Sequence, residues 1–264
     1  MKREPGPETH RRFESQFGYG FPLHRDVESQ NVSGRECRVH AFLRYLYEQY
    51  KDVQKIRINF ENRERQFREL YADATFPFDP LEPVWERSKV WKREEQSWLK
   101  TMETALGLCP VWNEYLKGIE GLGPVLACGL LGFIGDHRRF KGLRSLWHYC
   151  GLHVINGEAP KRAKGVKVDW NPRFRTLMWQ IGKSLIMRKN PRYYPLYVEY
   201  KRAEAEKHPE LTKLHIHNRA LRKVQKDFLK DLWRFLRDPE THLCSESQGL
   251  SGFSLHREHE SHTH

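Results

Sequence analysis

Residues 116–141 read LKGIEGLGPVLACGLLGFIGDHRRFK. Gly118, Gly121 and Gly123 lie close around Ile119 and Leu122, a spacing that suits a tight turn whose residues need φ > 0 or close backbone approach. Pro124 suits the first position of a helix, and Val125, Leu126, Leu130, Leu131, Phe133 and Ile134 follow, with small Ala127, Cys128, Gly129 and Gly132 between them. A segment this apolar on every side predicts a buried helix, stopping at Gly135. A helix, a glycine hairpin and a second helix offer free backbone N–H groups and a positive dipole end to whatever approaches the turn, and a phosphate fits there. The pattern reads as a helix-hairpin-helix, a grip on a nucleic-acid backbone without sequence preference. The plain alternative is an αα-hairpin buried in a helical protein.

The charge of the chain favours the first reading. The 264 residues carry a formal +12, with pI about 9.5, so a polyanionic partner is expected. The excess is local: residues 137–189 hold 13 Lys and Arg against only Glu158 and Asp169, a net +11. Downstream of the apolar helix, residues 143–150 predict a short helix ending at Gly151, followed by a basic loop over 152–169 with Lys161, Arg162, Lys164 and Lys167. Asn171-Pro172 opens a helix with a core face and a basic face that includes Arg173 and Arg175, and Asn190-Pro191 breaks it. Helices over 193–207 and 211–237 close the domain. In the last one Leu214, Leu221, Phe228, Leu232 and Phe235 form one stripe, with Arg219, Arg222, Lys223 and Lys226 outside it.

Upstream, Val39, Phe42, Leu43, Leu46, Tyr50 and Val53 recur at three- and four-residue steps, which predicts a long amphipathic helix from Arg38 to about Ala72. Three prolines in residues 75–83 break it, and residues 88–106 resume with Trp91, Trp98, Leu99 and Met102 on one stripe. The two helices predict an antiparallel hairpin whose aromatic stripe is core or a homo-oligomer interface rather than a cofactor box. Residues 1–35 and 239–264 are polar, with Glu14-Ser15-Gln16 recurring at Glu28-Ser29-Gln30 and Glu246-Ser247-Gln248 echoed at Glu260-Ser261-His262. They are expected to be disordered tails, the second rich in His.

The resulting expectation is an all-α chain: a tail at 1–35, a helical hairpin at 36–112, a compact helical domain containing the helix-hairpin-helix at 113–238, and a tail at 239–264. Five scattered cysteines (Cys37, Cys109, Cys128, Cys150 and Cys244), odd in number and partly within apolar runs, argue for reduced thiols. The N-terminus has no apolar h-region and no run reaches the roughly 18 apolar residues of a membrane span, so a soluble, cytoplasmic protein without a membrane partner is expected.

From Gly118 to Arg237 the chain resembles the C-terminal domain of the insertion sequence 110/116/902 transposase family. The order of landmarks carries the resemblance: GIEGLGPVLACGLLGFIGD, then RRFKGLRSLWHYCGL, NPRFRTL, NPRYYPLYVEYKR and RALRKVQKDFLKDLW. The resemblance implies DNA transposition and recombination through a serine in this domain, guided by a structured RNA, with an acidic, metal-binding RuvC-like domain at the N-terminus. The chain departs from that pattern twice. Its first hundred residues read as helices, like the family's coiled-coil linker, and the acidic metal site is not found. The loop HVINGEAPKRAKGVKVDW, where the family places its serine, holds no Ser, Thr or Cys; Asn156 and Gly157 occupy that neighbourhood. Ser145 and Ser184 lie in the flanking helices.

The chain is therefore read as a DNA-binding transposase-family protein, truncated and catalytically inactive on its own, with DNA or a structured RNA as partner. The rival is a structural or oligomerising helical module with no nucleic-acid role. The expected binding residues are Gly121 and Gly123 on a phosphate, Arg138, Arg139 and Lys141 flanking it, and Lys161, Arg162, Lys164, Lys167, Arg173 and Arg175 along the backbone. No catalytic residue, cofactor or metal is assigned. His148, Cys150 and His153 lack a second ligand pair at zinc spacing, and His256, His259, His262 and His264 in the tail read as an adventitious metal binder.

Overall fold

In the computed structural model, which describes residues 38–71, 82–155 and 157–237, the apolar segment forms the central helix α4, Pro124–Ile134, with α1, Arg38–Leu70, packed against it. Every residue of α4 from Ala127 to Ile134 is buried. The small residues noted in the sequence set the packing distance. A Cβ added to Gly132 would lie 2.6 Å from the backbone N and Cα of Arg44, so the α1 and α4 backbones approach as closely as a glycine allows. Gly129 meets the Tyr47 ring on one side and Leu177 on the other. The helix stops at Gly135, as its sequence predicts.

The expected disordered ends, 1–35 and 239–264, lie outside the described residues, as do 72–81 of the proline-rich break, Asn156, and the tail histidines. Helix α2, Glu82–Gly107, begins at Glu82 rather than Ser88 because a proline is tolerated in a first helical turn, and it packs along α1. Its stripe faces inward: Met102 is fully buried, and Trp98 and Leu99 pack against the core. Short α3, Pro110–Glu114, and a 3-10 turn, Leu116–Gly118, lead to the glycine turn. After α4 come α5, Leu143–Tyr149, then the loop, α6, Pro172–Met187, α7, Tyr193–Lys207, and α8, Lys213–Leu236. The fold is all-α; among the described residues the only β feature is an isolated bridge between Ile155 and Glu158. No described helix is long and apolar enough to cross a membrane.

Helices α4 and α6 run antiparallel. Phe133 near the end of α4 stacks on Phe174 near the start of α6, whereas the turn before α4 packs on Ser184 and Leu185 near the end of α6. Helix α8 covers α6 and α7 and carries a continuous buried stripe through Leu221, Val224, Phe228, Leu232 and Leu236. Cys109, Cys128 and Cys150 are buried and form no disulfide among the described residues, while Cys37 and Cys244 lie outside them.

Candidate nucleic-acid interface

The glycine turn is locked from within. Leu122 N–H donates to the Ile119 carbonyl at 3.0 Å and Gly121 has φ +93°, so residues 119–122 form a type II turn with glycine at its third position. A Cβ on Gly121 would also fall 3.1–3.3 Å from the backbone of Ser184 and Leu185. The Ser184 hydroxyl donates to the Gly121 carbonyl at 2.6 Å, and the Asn190 side-chain amide donates to the Glu120 carbonyl at 2.8 Å. Buried Asn190 then accepts from the Arg192 and Tyr193 N–H groups, so the residue that breaks α6 also ties the turn to the start of α7. Gly123 differs from the expectation. It sits at φ −77° and ψ 171°, an extended conformation open to any residue, and a Cβ there would meet nothing within 4 Å. Gly118 likewise has nothing within 4 Å.

The structure separates the two halves of the expected site. The turn lies at one end of α4, and Arg138, Arg139 and Lys141 follow its other end, with an 11-residue helix about 16 Å long between them. These three residues therefore do not flank a phosphate held at Gly121 and Gly123. Arg138 bonds Asp136 at 2.9 Å, while Arg139 donates to the Phe133 carbonyl at 2.8 Å and lies 4.7 Å from the centroids of both Phe140 and Tyr149. Lys141 is exposed and lines a shallow surface with Arg144, Ser145 and Trp147.

The remaining candidates gather at the start of α6. Asn171 caps that helix by accepting the Phe174 N–H at 3.0 Å, and its amide donates to the Tyr149 hydroxyl, which fixes the loop exit against α5. Arg175 donates to the Pro160 carbonyl at 2.5 Å and stacks over Trp170 with 4.9 Å to the ring centre, so it holds the middle of the basic loop against α6. Arg162, Trp170, Pro172, Arg175, Thr176 and Trp179 line one open cleft. Arg162, Lys164 and Lys167 are exposed and have no ion-pair partner among the described residues, whereas Lys161 pairs with Glu158 at 2.7 Å and Arg173 with Glu48 of α1 at 3.1 Å.

Several contributors were not singled out in the sequence. Trp179 is 45% exposed with Lys183 5.2 Å from its ring, and Arg175, Trp179 and Lys183 are spaced four residues apart, which places them on one face of α6. That spacing was the available signal. From α8, Arg222 donates to the His153 carbonyl at 3.2 Å and Lys226 lies 5.2 Å from the Trp147 ring; nothing in the local pattern of α8 distinguishes them from Arg219 and Lys223, which instead bond buried Glu204. Burial, followed by the charges of Arg175 and Arg219, pulls the Arg222 guanidinium down to about 10, and burial lowers Arg175 as well. Of the three residues weighed as metal ligands, His148 and His153 stack with ring centres 4.1 Å apart. Burial pushes the Cys150 thiol well above its ordinary range.

No curated protein and no solved structure matches the chain. Residues 113–198 match the transposase IS116/IS110/IS902 family, a stretch running from the end of α3 through the glycine turn, α4, α5, the basic loop and α6 into α7. Over that stretch the chain is similar to the family, in agreement with the resemblance drawn from the landmarks that fall within it; the final landmark, RALRKVQKDFLKDLW, lies beyond the match.

Proposed function

We propose that this protein is a transposition-related, nucleic-acid-binding protein that grips a phosphate backbone, DNA or structured RNA, with the loop and the first turns of α6, and that it does no strand chemistry by itself. The observation that carries the reading is the pair Arg175 and Arg222. Both guanidiniums are half-buried, each donates only to a backbone carbonyl, Arg175 to Pro160 and Arg222 to His153, and neither has a carboxylate partner among the described residues. Holding such a pair without an anion is costly, and a phosphate offsets that cost with charge-assisted hydrogen bonds. Arg162, Lys164 and Lys167 extend the positive surface, and exposed Trp179 offers a ring for stacking an unpaired base. The helix-hairpin-helix reading of the glycine turn is secondary here, because its carbonyls are tied to α6 and the unpaired cations lie at the far end of α4. A cytoplasmic location goes with a nucleic-acid partner.

The experiment is binding to duplex DNA and to structured RNA across a salt series. With four to six phosphates engaged, log K falls against log salt with a slope of about −4 to −5, with little sequence preference. Affinity that does not change between low and moderate salt would sink the reading and favour the purely structural module.

The state of the nucleophiles supports the proposed inactivity. Ser184 is committed to the Gly121 carbonyl, burial raises Cys128 to about 12, and the described part of the loop offers no hydroxyl. Incubation with supercoiled and branched DNA, with and without magnesium, is expected to give neither nicks nor a covalent adduct. A reproducible adduct that disappears in Ser145→Ala would move a working active site to the start of α5.

A further inference from the structure

We propose that His148, His153 and Asp169 form a binding site for a divalent transition metal of the zinc class, one that clips the two ends of the basic loop together. The three residues come from the last turn of α5, the start of the loop and its end, and one ligand atom of each lies within 4.8 Å of the others. His148 Nε2 is 3.1 Å from an Asp169 oxygen, and the two imidazoles stack at 4.1 Å. The second observation is His153 itself: both of its ring nitrogens are buried, and neither makes a hydrogen bond of normal geometry among the described residues. A half-buried imidazole whose two nitrogens are both shielded from water and idle costs free energy, and a metal ligated by one of them relieves it.

Two imidazoles and one carboxylate are a donor set for zinc and its neighbours, and they leave a position open for water or an anion. Cysteine plays no part, since Cys150 faces the core. The opposing feature is charge, because Arg222 holds the His153 carbonyl and Arg175 also acts on the His153 ring. The site therefore depends on Asp169 for its only negative charge. The consequence is local order: joining His153 to Asp169 closes the loop that carries Lys161, Arg162, Lys164 and Lys167, whether or not nucleic acid binds there.

The test is titration of the full, metal-stripped chain with Co²⁺, read by its visible d–d absorption. A saturable band at one equivalent, displaced by Zn²⁺, is expected, and His148→Ala/His153→Ala should abolish it while leaving whatever the tail histidines contribute. Asp169→Asn alters an exposed side chain, cannot unfold the core, and is expected to weaken Co²⁺ by about tenfold or more. Zn²⁺ should also slow tryptic cleavage at the loop lysines in the parent chain but not in Asp169→Asn. Absence of a saturable band, or Co²⁺ binding of equal strength in Asp169→Asn, overturns the site.

Discussion

The paired helices α1 and α2 and the opening turns of α6 use the same residue types in opposite ways. Between α1 and α2, Glu95 collects Arg57, Tyr50 at 2.8 Å and Gln54 at 2.9 Å, while Arg57 also holds Glu61 at 2.6 Å. Those carboxylates raise the pKa of Arg57. Around the basic loop the shift is reversed: burial and neighbouring cations lower Arg222 of α8, and of the loop cations only Lys161 meets a carboxylate, Glu158, among the described residues. Near-equal acids and bases make a self-contained surface, whereas cations assembled without acids make a surface that is complete only with an anion. The net +12 is thus less informative than where its unpaired part resides.

The sharpest way to break this comparison is to remove charge from each region in turn. Arg162→Gln, Lys164→Gln and Lys167→Gln together are expected to weaken nucleic-acid binding about a hundredfold near 0.15 M salt and to flatten the salt slope by about 3, with unchanged thermal unfolding. Arg63→Gln, Arg65→Gln and Lys89→Gln remove equal charge from α1 and α2, where Arg65 faces Glu69 and Lys89 faces Glu86, and should change affinity little. Equal losses from both triples would show that only net charge matters.

A smaller effect is expected where cations of the second region do have an acid. Glu204 of α7 is buried and receives Arg219 at 2.5 Å and Lys223 at 2.6 Å. Burial raises its pKa, but the bonds from Lys223 and Arg219 together outweigh burial and hold the carboxyl below its ordinary value. Glu204→Gln should cost about 2 kcal/mol, read as a lower urea midpoint at unchanged m, with nucleic-acid affinity preserved. Because the folded pKa is depressed, this stabilisation is present above the unfolded value of about 4.3 and is lost as pH falls through the folded one. The gap between the parent chain and Glu204→Gln should therefore close below about pH 4. A gap that stays constant into acid would mean that Glu204 acts by shape and not by charge.

These contrasts also mark what the sequence could convey. Helical periodicity located α1, α6, α7 and α8 within a few residues, and the Asn171-Pro172 and Asn190-Pro191 punctuation placed both ends of α6, because capping and proline geometry are local. The burial of α4 was legible from its composition, and Gly132 shows why the small residues are there. Pairing was not legible. Arg219, Lys223, Arg222 and Lys226 look alike along α8, yet two meet Glu204 and two reach α5 and the loop, which depends on how α8 lies across the other helices. Grouping the glycine turn with Arg138 and Lys141 failed for the same reason: nearness in sequence hid the length of an intervening helix.

The effect of valine is expected to separate the two glycines of that turn, down to almost nothing at Gly123. Gly121 has φ +93°, and its Cβ would crowd the α6 backbone at 3.1 Å, so Gly121→Val should destabilise the fold by about 1–3 kcal/mol, the cost expected of strain at a left-handed position. Gly123 has no such requirement: at φ −77° with open space around it, Gly123→Val should leave stability within about 0.5 kcal/mol of the parent. That makes it a clean probe of the free N–H groups at the start of α4. If the nucleic acid is held only by the cations at the start of α6, Gly123→Val binds as the parent does at every salt concentration. If a phosphate also rests on α4, a valine before Pro124 obstructs its approach and weakens binding without changing the melting temperature. A variant that loses stability and binding together would contradict the extended conformation of Gly123 and return both functions to the turn.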